Sequence, residues 1–116
     1  MIFKHLTYFT RDEFTEPERM NANLLLMLDA ARHFAGIPFV INSSYRSRNH
    51  NSSVGGVSNS SHIQGLAVDI SCSNSFDRFT IINALVRAGF TRIGIGQHHI
   101  HCDIDIDKKQ DVIWLE

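Results

Sequence analysis

Histidine is the residue type whose number and placement stand out in this 116-residue sequence. Seven occur, and His98, His99 and His101 crowd into one short segment. Imidazole is a common metal ligand and proton carrier near neutral pH. His62 and Asp69 offer one more nitrogen and one carboxylate upstream. A catalytic zinc ion takes three such ligands and keeps a position open for water, so these segments can supply a zinc site without any cysteine.

Strand periodicity predicts which of these side chains point the same way. Successive side chains of a strand lie on opposite sides, and residues 99–106 alternate between polar and apolar types. One side carries His99, His101, Asp103 and Asp105, and the other carries Ile100, Cys102, Ile104 and Ile106. Because the apolar set must face the core, the polar set faces a cleft, where His101 can complete the metal site begun by His62 and Asp69.

Two amphipathic helices are predicted to cover the apolar side of the strands. The first runs from Asn21 to Phe34, with apolar residues at three- and four-residue spacing and Gly36 as its stop. The second runs from Phe76 to Ala88 after a Ser75 cap. Its inward side chains are expected to be Phe79, Ile82, Leu85 and Val86. A short helical turn is also expected at the capping box of Thr10 and Glu13.

The remaining apolar segments read as strands: Pro38–Asn42, Leu66–Ser71, Thr91–Ile95, His99–Ile106 and Val112–Leu115. A tight turn near Gly96 joins the third to the fourth and makes them antiparallel. Mixed helices and strands with consecutive strands near the end predict one α+β domain over residues 1–116, a small antiparallel sheet flanked by helices. Residues 43–60, rich in Ser, Asn and Gly, are predicted to be a long functional loop.

Composition argues against several classes of partner. Eleven basic and twelve acidic residues give a net charge of −1, which disfavours nucleic acid. No apolar run reaches the roughly 20 residues of a membrane span, and the first residues lack a secretory signal, so synthesis in the cytoplasm is expected. Cys72 and Cys102 are expected to be two buried free thiols, although a disulfide between them is left open.

The ordered motifs resemble one known family. Ser60-x-His62-x-x-Gly65-x-Ala67-x-Asp69, followed by His99-x-His101, is similar to the pattern of zinc D-Ala-D-Ala carboxypeptidases and related phage endolysins, whose fold and metal site hedgehog domains share. Upstream, Ile41–Ser47, Asn51 and Val54–Val57 extend the resemblance, which covers residues 20 to 115. The tyrosine-arginine segment and double glycine look closest to small bacteriophage members.

This resemblance implies both an activity and the residues that carry it. It implies that His62, Asp69 and His101 bind zinc, that Arg46 holds a substrate carboxylate and that Ser60 contacts substrate. Many relatives place a glutamate base three residues before the last ligand, but this chain has His98 there. His99 or His98 is therefore expected to act as general base. Asp103 either holds a ligand ring in place or is a solvated strand residue.

The expected protein is a monomeric zinc peptidase that cuts D-amino-acid-containing bonds of peptidoglycan stem peptides, as a carboxypeptidase or an endopeptidase. Its expected place of action is the cell wall or periplasm, in phage lysis or in phage penetration of the wall. The alternative is a non-catalytic binding module of the same fold, in which zinc serves only stability. The missing glutamate is the feature that favours this alternative.

Overall fold

A five-stranded sheet forms the centre of the computed structural model, which describes residues 1–116. Its strands are β1 (Ile41–Ser43), β2 (Ala67–Ser71), β3 (Arg92–Ile95), β4 (His99–Asp103) and β5 (Val112–Leu115). They lie in the order β1-β2-β4-β3-β5. Neighbours are antiparallel except β3 and β5, which are parallel.

The predicted α+β fold is confirmed, but the sheet is mixed and not wholly antiparallel. The difference arises after β4, where the chain crosses the start of β3 instead of turning back beside β4. Val112 therefore pairs with Arg92, and β5 runs in the same direction as β3. This crossing places β5 at the edge of the sheet beside β3. The residue that follows β5, Glu116, lies with its Oε1 2.7 Å from Nε2 of His99 on β4.

Three α-helices accompany the sheet: α1 (Ala22–Ala35), α2 (Arg48–Ser53) and α3 (Ser75–Arg87). α1 confirms the first predicted helix, because Asn21 caps it by accepting from two backbone N–H groups and Gly36 ends it with a φ of 69°. The predicted helical turn at Thr10 is a 3-10 turn over Arg11–Glu13. No helix of the chain combines the length and apolar character that crossing a bilayer requires.

One hydrophobic core lies between the helices and the sheet. α1 contributes Leu24, Leu25 and Leu28, α3 contributes Ile81 and Leu85, and the strands contribute Ile70, Ile93 and Ile100, all at most 2% exposed. Each such side chain stabilises the fold by about 1.5–3 kcal/mol relative to its exposed state. Cys72 and Cys102 are buried free thiols, so no disulfide joins them.

The inward face predicted for α3 is partly wrong. Phe79 and Val86 are 71% and 52% exposed, and the side chains that pack inward with Leu85 are Ile81 and Ala84. The helix carries two adjacent apolar stripes, and packing against α1 and β4 selects only one of them. Ile106 is also exposed rather than in the core, because β4 ends at Asp103 and its alternation stops there.

The segment predicted as a continuous loop over residues 43–60 contains helix α2. Ser47 caps this helix, and its hydroxyl oxygen accepts a hydrogen bond from the backbone N–H of His50 at 3.1 Å. The composition of Ser and Asn, which suits both loops and helix caps, hid this short element. The helix matters for the site because it fixes the residues that surround Arg46.

Candidate metal centre

The three predicted ligands lie together on the polar side of the sheet. Asp69 on β2 pairs directly with His101 on β4, and His62 enters from the turns that precede β2. Asp69 Oδ1 lies 3.1 Å from His101 Nδ1 and 3.4 Å from His62 Nε2. One ligand atom from each residue lies within 4.8 Å of the other two, and all three residues are buried. Two nitrogens and one carboxylate oxygen thus converge on one point.

The outer nitrogen of each imidazole is fixed by a hydrogen bond. His62 Nδ1 donates to the carbonyl oxygen of Ser44 at 2.8 Å, and His101 Nε2 donates to Asp103 Oδ2 at 2.7 Å. Since carbonyl and carboxylate oxygens only accept, each outer nitrogen carries a hydrogen. The inner nitrogen, which faces Asp69, is therefore the one that can bind a metal ion when it carries no proton. Metal-binding histidines are held in this way by a second partner. The donor set therefore fits a divalent ion, and zinc in particular.

Asp103 is a buried support of His101 and not a solvated strand residue. Only 1% of it is exposed, and its Oδ1 accepts from Arg92 Nε at 2.7 Å. The backbone N–H of Asp105 donates to the same oxygen at 3.0 Å. With both oxygens occupied, the carboxylate cannot rotate, and the ring of His101 keeps one orientation.

The charges of the cluster favour a cation at its centre. Burial opposes ionisation of Asp69, but hydrogen bonds from His101 and His62 outweigh it and hold the pKa of Asp69 well below its usual range. Burial likewise opposes a charged His101, yet its bonds to Asp103 and Asp69 raise the pKa of His101 to about 9. Without metal, a proton on His101 supplies the positive charge that a bound ion would supply.

A polar cleft of about 370 Å³ opens over this cluster. Its lining includes the three clustered residues and both predicted substrate residues, together with Gly55, Gly56, Val57, Ser61, Asp103, Lys108, Trp114 and Glu116. A larger groove of about 510 Å³ runs along α3, but it shares no residue with the cleft and holds no histidine. The chemistry-bearing side chains therefore define the cleft as the candidate site.

Arg46 is held at the cleft by the loop that carries α2. Its Nη2 lies 3.5 Å from Asp69 Oδ2, and its Nη1 donates to Asn51 Oδ1 at 3.2 Å. Asn51 is buried and also donates to the carbonyl of Val57 at 2.7 Å. A Cβ at Gly56 would lie 2.0 Å from Asn51 Oδ1, so any side chain there would displace the amide that contacts Arg46. The guanidinium is thus placed beside the metal cluster by specific local contacts.

Ser60 and Lys108 complete the polar wall of the cleft. The hydroxyl oxygen of Ser60 accepts from the backbone N–H of His62 at 3.2 Å, which ties the serine to a clustered residue. Lys108 Nζ donates to Ser61 Oγ at 3.1 Å, and the same serine donates to buried Asp105 at 2.7 Å. The cleft therefore presents two fixed cations, Arg46 and Lys108, and the second was not predicted.

The two histidines predicted as general base occupy different places. His98 is exposed, and its Nδ1 lies 3.4 Å from Ser73 Oγ, outside the cleft lining. His99 shares the side of β4 that carries His101, but it also does not line the cleft; its Nε2 lies 2.7 Å from Glu116 Oε1. β4 begins at His99, so His98 lies in the bend before the strand, and only His99 shares the strand face of His101.

Trp114 and Glu116 are cleft residues that the sequence patterns did not single out. The Trp114 ring lies 5.5 Å from the His101 ring between centroids. The signal available in the sequence is the alternation of the last strand, which places both residues on the same side. That signal is insufficient to place the two residues at the cleft, because the side of the sheet that they occupy depends on which strand β5 pairs with.

Comparison with known proteins identifies the family. An α+β domain whose buried His–Asp–His cluster opens on a polar cleft has the ligand types of a catalytic zinc site. A profile of the family described as peptidase M15 matches residues 5–105, which is most of the chain. The chain belongs to the peptidase M15 family, the family of the D-Ala-D-Ala carboxypeptidases, whose members are zinc-dependent metallopeptidases. No curated protein matches it.

Proposed function

We propose that this M15 peptidase is a zinc enzyme that hydrolyses D-amino-acid-containing peptide bonds in peptidoglycan stem peptides. The observation that carries the proposal is the convergence of His62 Nε2, His101 Nδ1 and an Asp69 oxygen, with both outer nitrogens already occupied. Zinc held by these atoms would lower the pKa of a coordinated water from about 15.7 towards 7 and polarise the scissile carbonyl.

The cations of the cleft support a substrate with a carboxylate. Arg46 presents its guanidinium beside Asp69, and a bidentate grip on a carboxylate would fix the scissile bond next to the metal cluster. Lys108 offers a second point charge at the cleft. Ser60 offers a hydroxyl for a substrate amide. A stem peptide, which ends in a carboxylate, satisfies this pattern, and the motif resemblance supports D-amino acids within it.

His99, rather than His98, belongs to the acid–base machinery in this proposal. The His99 ring contacts Glu116, which lines the cleft, whereas His98 precedes β4 and lies beside Ser73 outside the cleft. Positioned acid–base groups contribute typically about 10²–10⁴-fold to rate. The resemblance to small bacteriophage peptidases supports placing the activity at the bacterial cell wall, during phage lysis or penetration.

The second candidate is a non-catalytic module of the same fold in which zinc only stabilises the chain. Position 98 favours it, because the carboxylate that many relatives carry there is histidine in this chain. This alternative does not account for the open cleft, because a purely structural zinc site is usually closed by four protein ligands. Here the cluster offers three.

Cleavage of purified muropeptides, read by mass spectrometry, separates the two candidates. The zinc-loaded protein should release a D-amino acid or split cross-linked stems, and a chelator or His101→Ala should abolish this. His5→Ala is the matched control, because His5 is exposed and outside the cleft. If the zinc-loaded chain leaves every muropeptide mass unchanged, the peptidase proposal fails and the module is favoured.

A further inference from the structure

Glu116 places a carboxylate in the cleft at the point nearest to His99. It lines the cleft together with the three clustered residues, whereas His99 does not. One oxygen of Glu116, one nitrogen of His99 and one oxygen of Asp69 lie within 4.8 Å of one another. The carboxylate therefore lies beside a member of the metal cluster, with His99 as its direct neighbour.

Two contacts hold the Glu116 carboxylate in place, and a third holds its backbone. Its Oε1 lies 2.7 Å from His99 Nε2, and its Oε2 accepts from Trp114 Nε1 at 3.0 Å. Its backbone N–H donates to the carbonyl of Ile95 at 2.9 Å, so the residue continues the pairing of β5 with β3. A side chain with each oxygen engaged by a separate donor has a defined direction.

The neighbouring strand leaves room for this arrangement at Gly94. A Cβ at position 94 would lie 2.7 Å from Glu116 Oε2 and 2.9 Å from the Trp114 ring. Any side chain there would displace the carboxylate or the indole. The bare backbone of β3 thus forms the surface on which both groups rest.

We propose that Glu116 is the general base of this peptidase, and that His99 is the positioning residue that orients it. This inference rests on the proposed function, and it assigns to the last strand the carboxylate that position 98 lacks. Glu116 takes a proton from the attacking water as the water oxygen bonds to the scissile carbonyl carbon. It then returns that proton to the leaving amine nitrogen as the carbon–nitrogen bond breaks, which completes hydrolysis with no other reactant.

Glu116→Gln tests the base directly, because the amide keeps the shape and the acceptor for Trp114 but cannot take the proton. We expect kcat on muropeptides to fall about 10²–10⁴-fold, with KM and the content of one zinc per chain unchanged. We expect added formate to restore part of the activity of Glu116→Ala, which a merely structural role would not allow. Asp111→Asn removes a carboxylate just before the same strand and should leave kcat unchanged.

His99→Gln tells the two groups of the pair apart. A positioning residue should cost less activity than the base it orients, so His99→Gln should retain more activity than Glu116→Gln. A Glu116→Gln enzyme with wild-type kcat would overturn the proposal. It would also be overturned if His99→Gln abolished activity while Glu116→Gln retained it. If the wild type bound two zinc ions per chain and Glu116→Gln bound one, Glu116 and His99 would be ligands of a second metal ion. That result would also overturn the proposal.

A measurement that needs no peptidase activity keeps the two proposals separable. Wild type that cleaves no muropeptide refutes the proposed function. The protein loaded with Co²⁺ can still be titrated with acid and base while its visible spectrum is followed. A carboxylate facing the open coordination position should give a pH-dependent spectral change whose midpoint shifts in Glu116→Gln, and identical titrations of the two proteins would rule out Glu116.

Discussion

The two sides of strand β4 are buried to a similar degree but held by different forces. Ile100 and Cys102 are fully buried on one side, and His101 and Asp103 are 8% and 1% exposed on the other. The apolar side requires only that volumes fit, whereas the polar side requires a partner for each donor and acceptor. Buried ionic groups often stabilise a fold less than apolar side chains of similar volume, so stability alone does not explain their presence on one side of β4.

Because the two sides of β4 are held by different forces, substitutions on them should have different effects. Loss of a methylene on the apolar side should lower the free energy of unfolding and leave metal binding intact. Loss of a charge on the polar side should alter metal binding first. The following changes test this separation.

Asp69→Asn should have the largest effect. Asparagine keeps the shape but removes the anion that both imidazoles face, so zinc affinity should fall by more than about 100-fold, beyond the loss typical of residues that only support a ligand. Muropeptide cleavage should disappear with it. A competition titration with a zinc-binding dye measures the affinity, with Asp111→Asn as the control. Undiminished affinity in Asp69→Asn would remove Asp69 from the site.

Ile100→Ala should have the second-largest effect. Ile100 lies on the apolar side of β4. The side chain is fully buried, so its truncation should lower the free energy of unfolding by about 2–5 kcal/mol in urea. The zinc content should stay at that of wild type. If the substitution instead abolished zinc binding in the folded protein, the two sides would not be separable.

Asp103→Asn should weaken zinc binding by about 10–100-fold without abolishing it. The carboxylate holds His101 Nε2 and neutralises Arg92, but it does not face the metal position itself. Calorimetric zinc titration measures the change, and exposed Asp107→Asn is the control. A loss as large as that of Asp69→Asn would contradict the supporting role.

The stability of the metal-free protein should depend on pH because of the ionisable side chains on the polar side of the sheet. The pKa of His101 rises from 6.5 to about 9 on folding. The paired imidazole therefore adds to the free energy of unfolding below pH 6.5, and this stabilisation is lost as pH rises towards 9. The lowered pKa values of Asp69 and Asp103 act in the other direction, and their contribution is lost as pH falls below about 4. In chelator, Tm should therefore drop by several degrees between pH 6.5 and pH 9. His101→Gln should remove this alkaline drop, and an unchanged profile would argue against the paired imidazole.

Phe79→Ser should have the smallest effect, although it replaces a large apolar residue. Phe79 is 71% exposed on the outer side of α3, so the free energy of unfolding should change by no more than about 0.5 kcal/mol. Urea unfolding measures it beside Ile81→Ala, which removes a buried side chain of the same helix. If Phe79→Ser lowered the free energy of unfolding as much as Ile81→Ala, Phe79 would have to pack inward, as the sequence pattern predicts.

Short-range patterns in the amino-acid sequence are sufficient to predict the local elements of this fold. The alternation of β4 placed His101 and Asp103 opposite Ile100, and the capping residues and spacing of α1 located that helix. The order and spacing of His62, Asp69 and His101 along the chain indicated a single metal cluster. The strand and the helix follow from backbone geometry over a few residues, so a local pattern is enough to predict them.

Which groups meet across the fold depends on long-range packing that no short segment encodes. Glu116 reaches the cleft because the segment between β4 and β5 passes the start of β3, so that β5 pairs with β3 in parallel. Contacts between segments distant in sequence determine this pairing. The same holds for the face of α3 that is buried and for the place of Arg46 beside Asp69. A one-residue change in strand pairing would turn a strand's side chains to the opposite face, and no local pattern fixes that pairing.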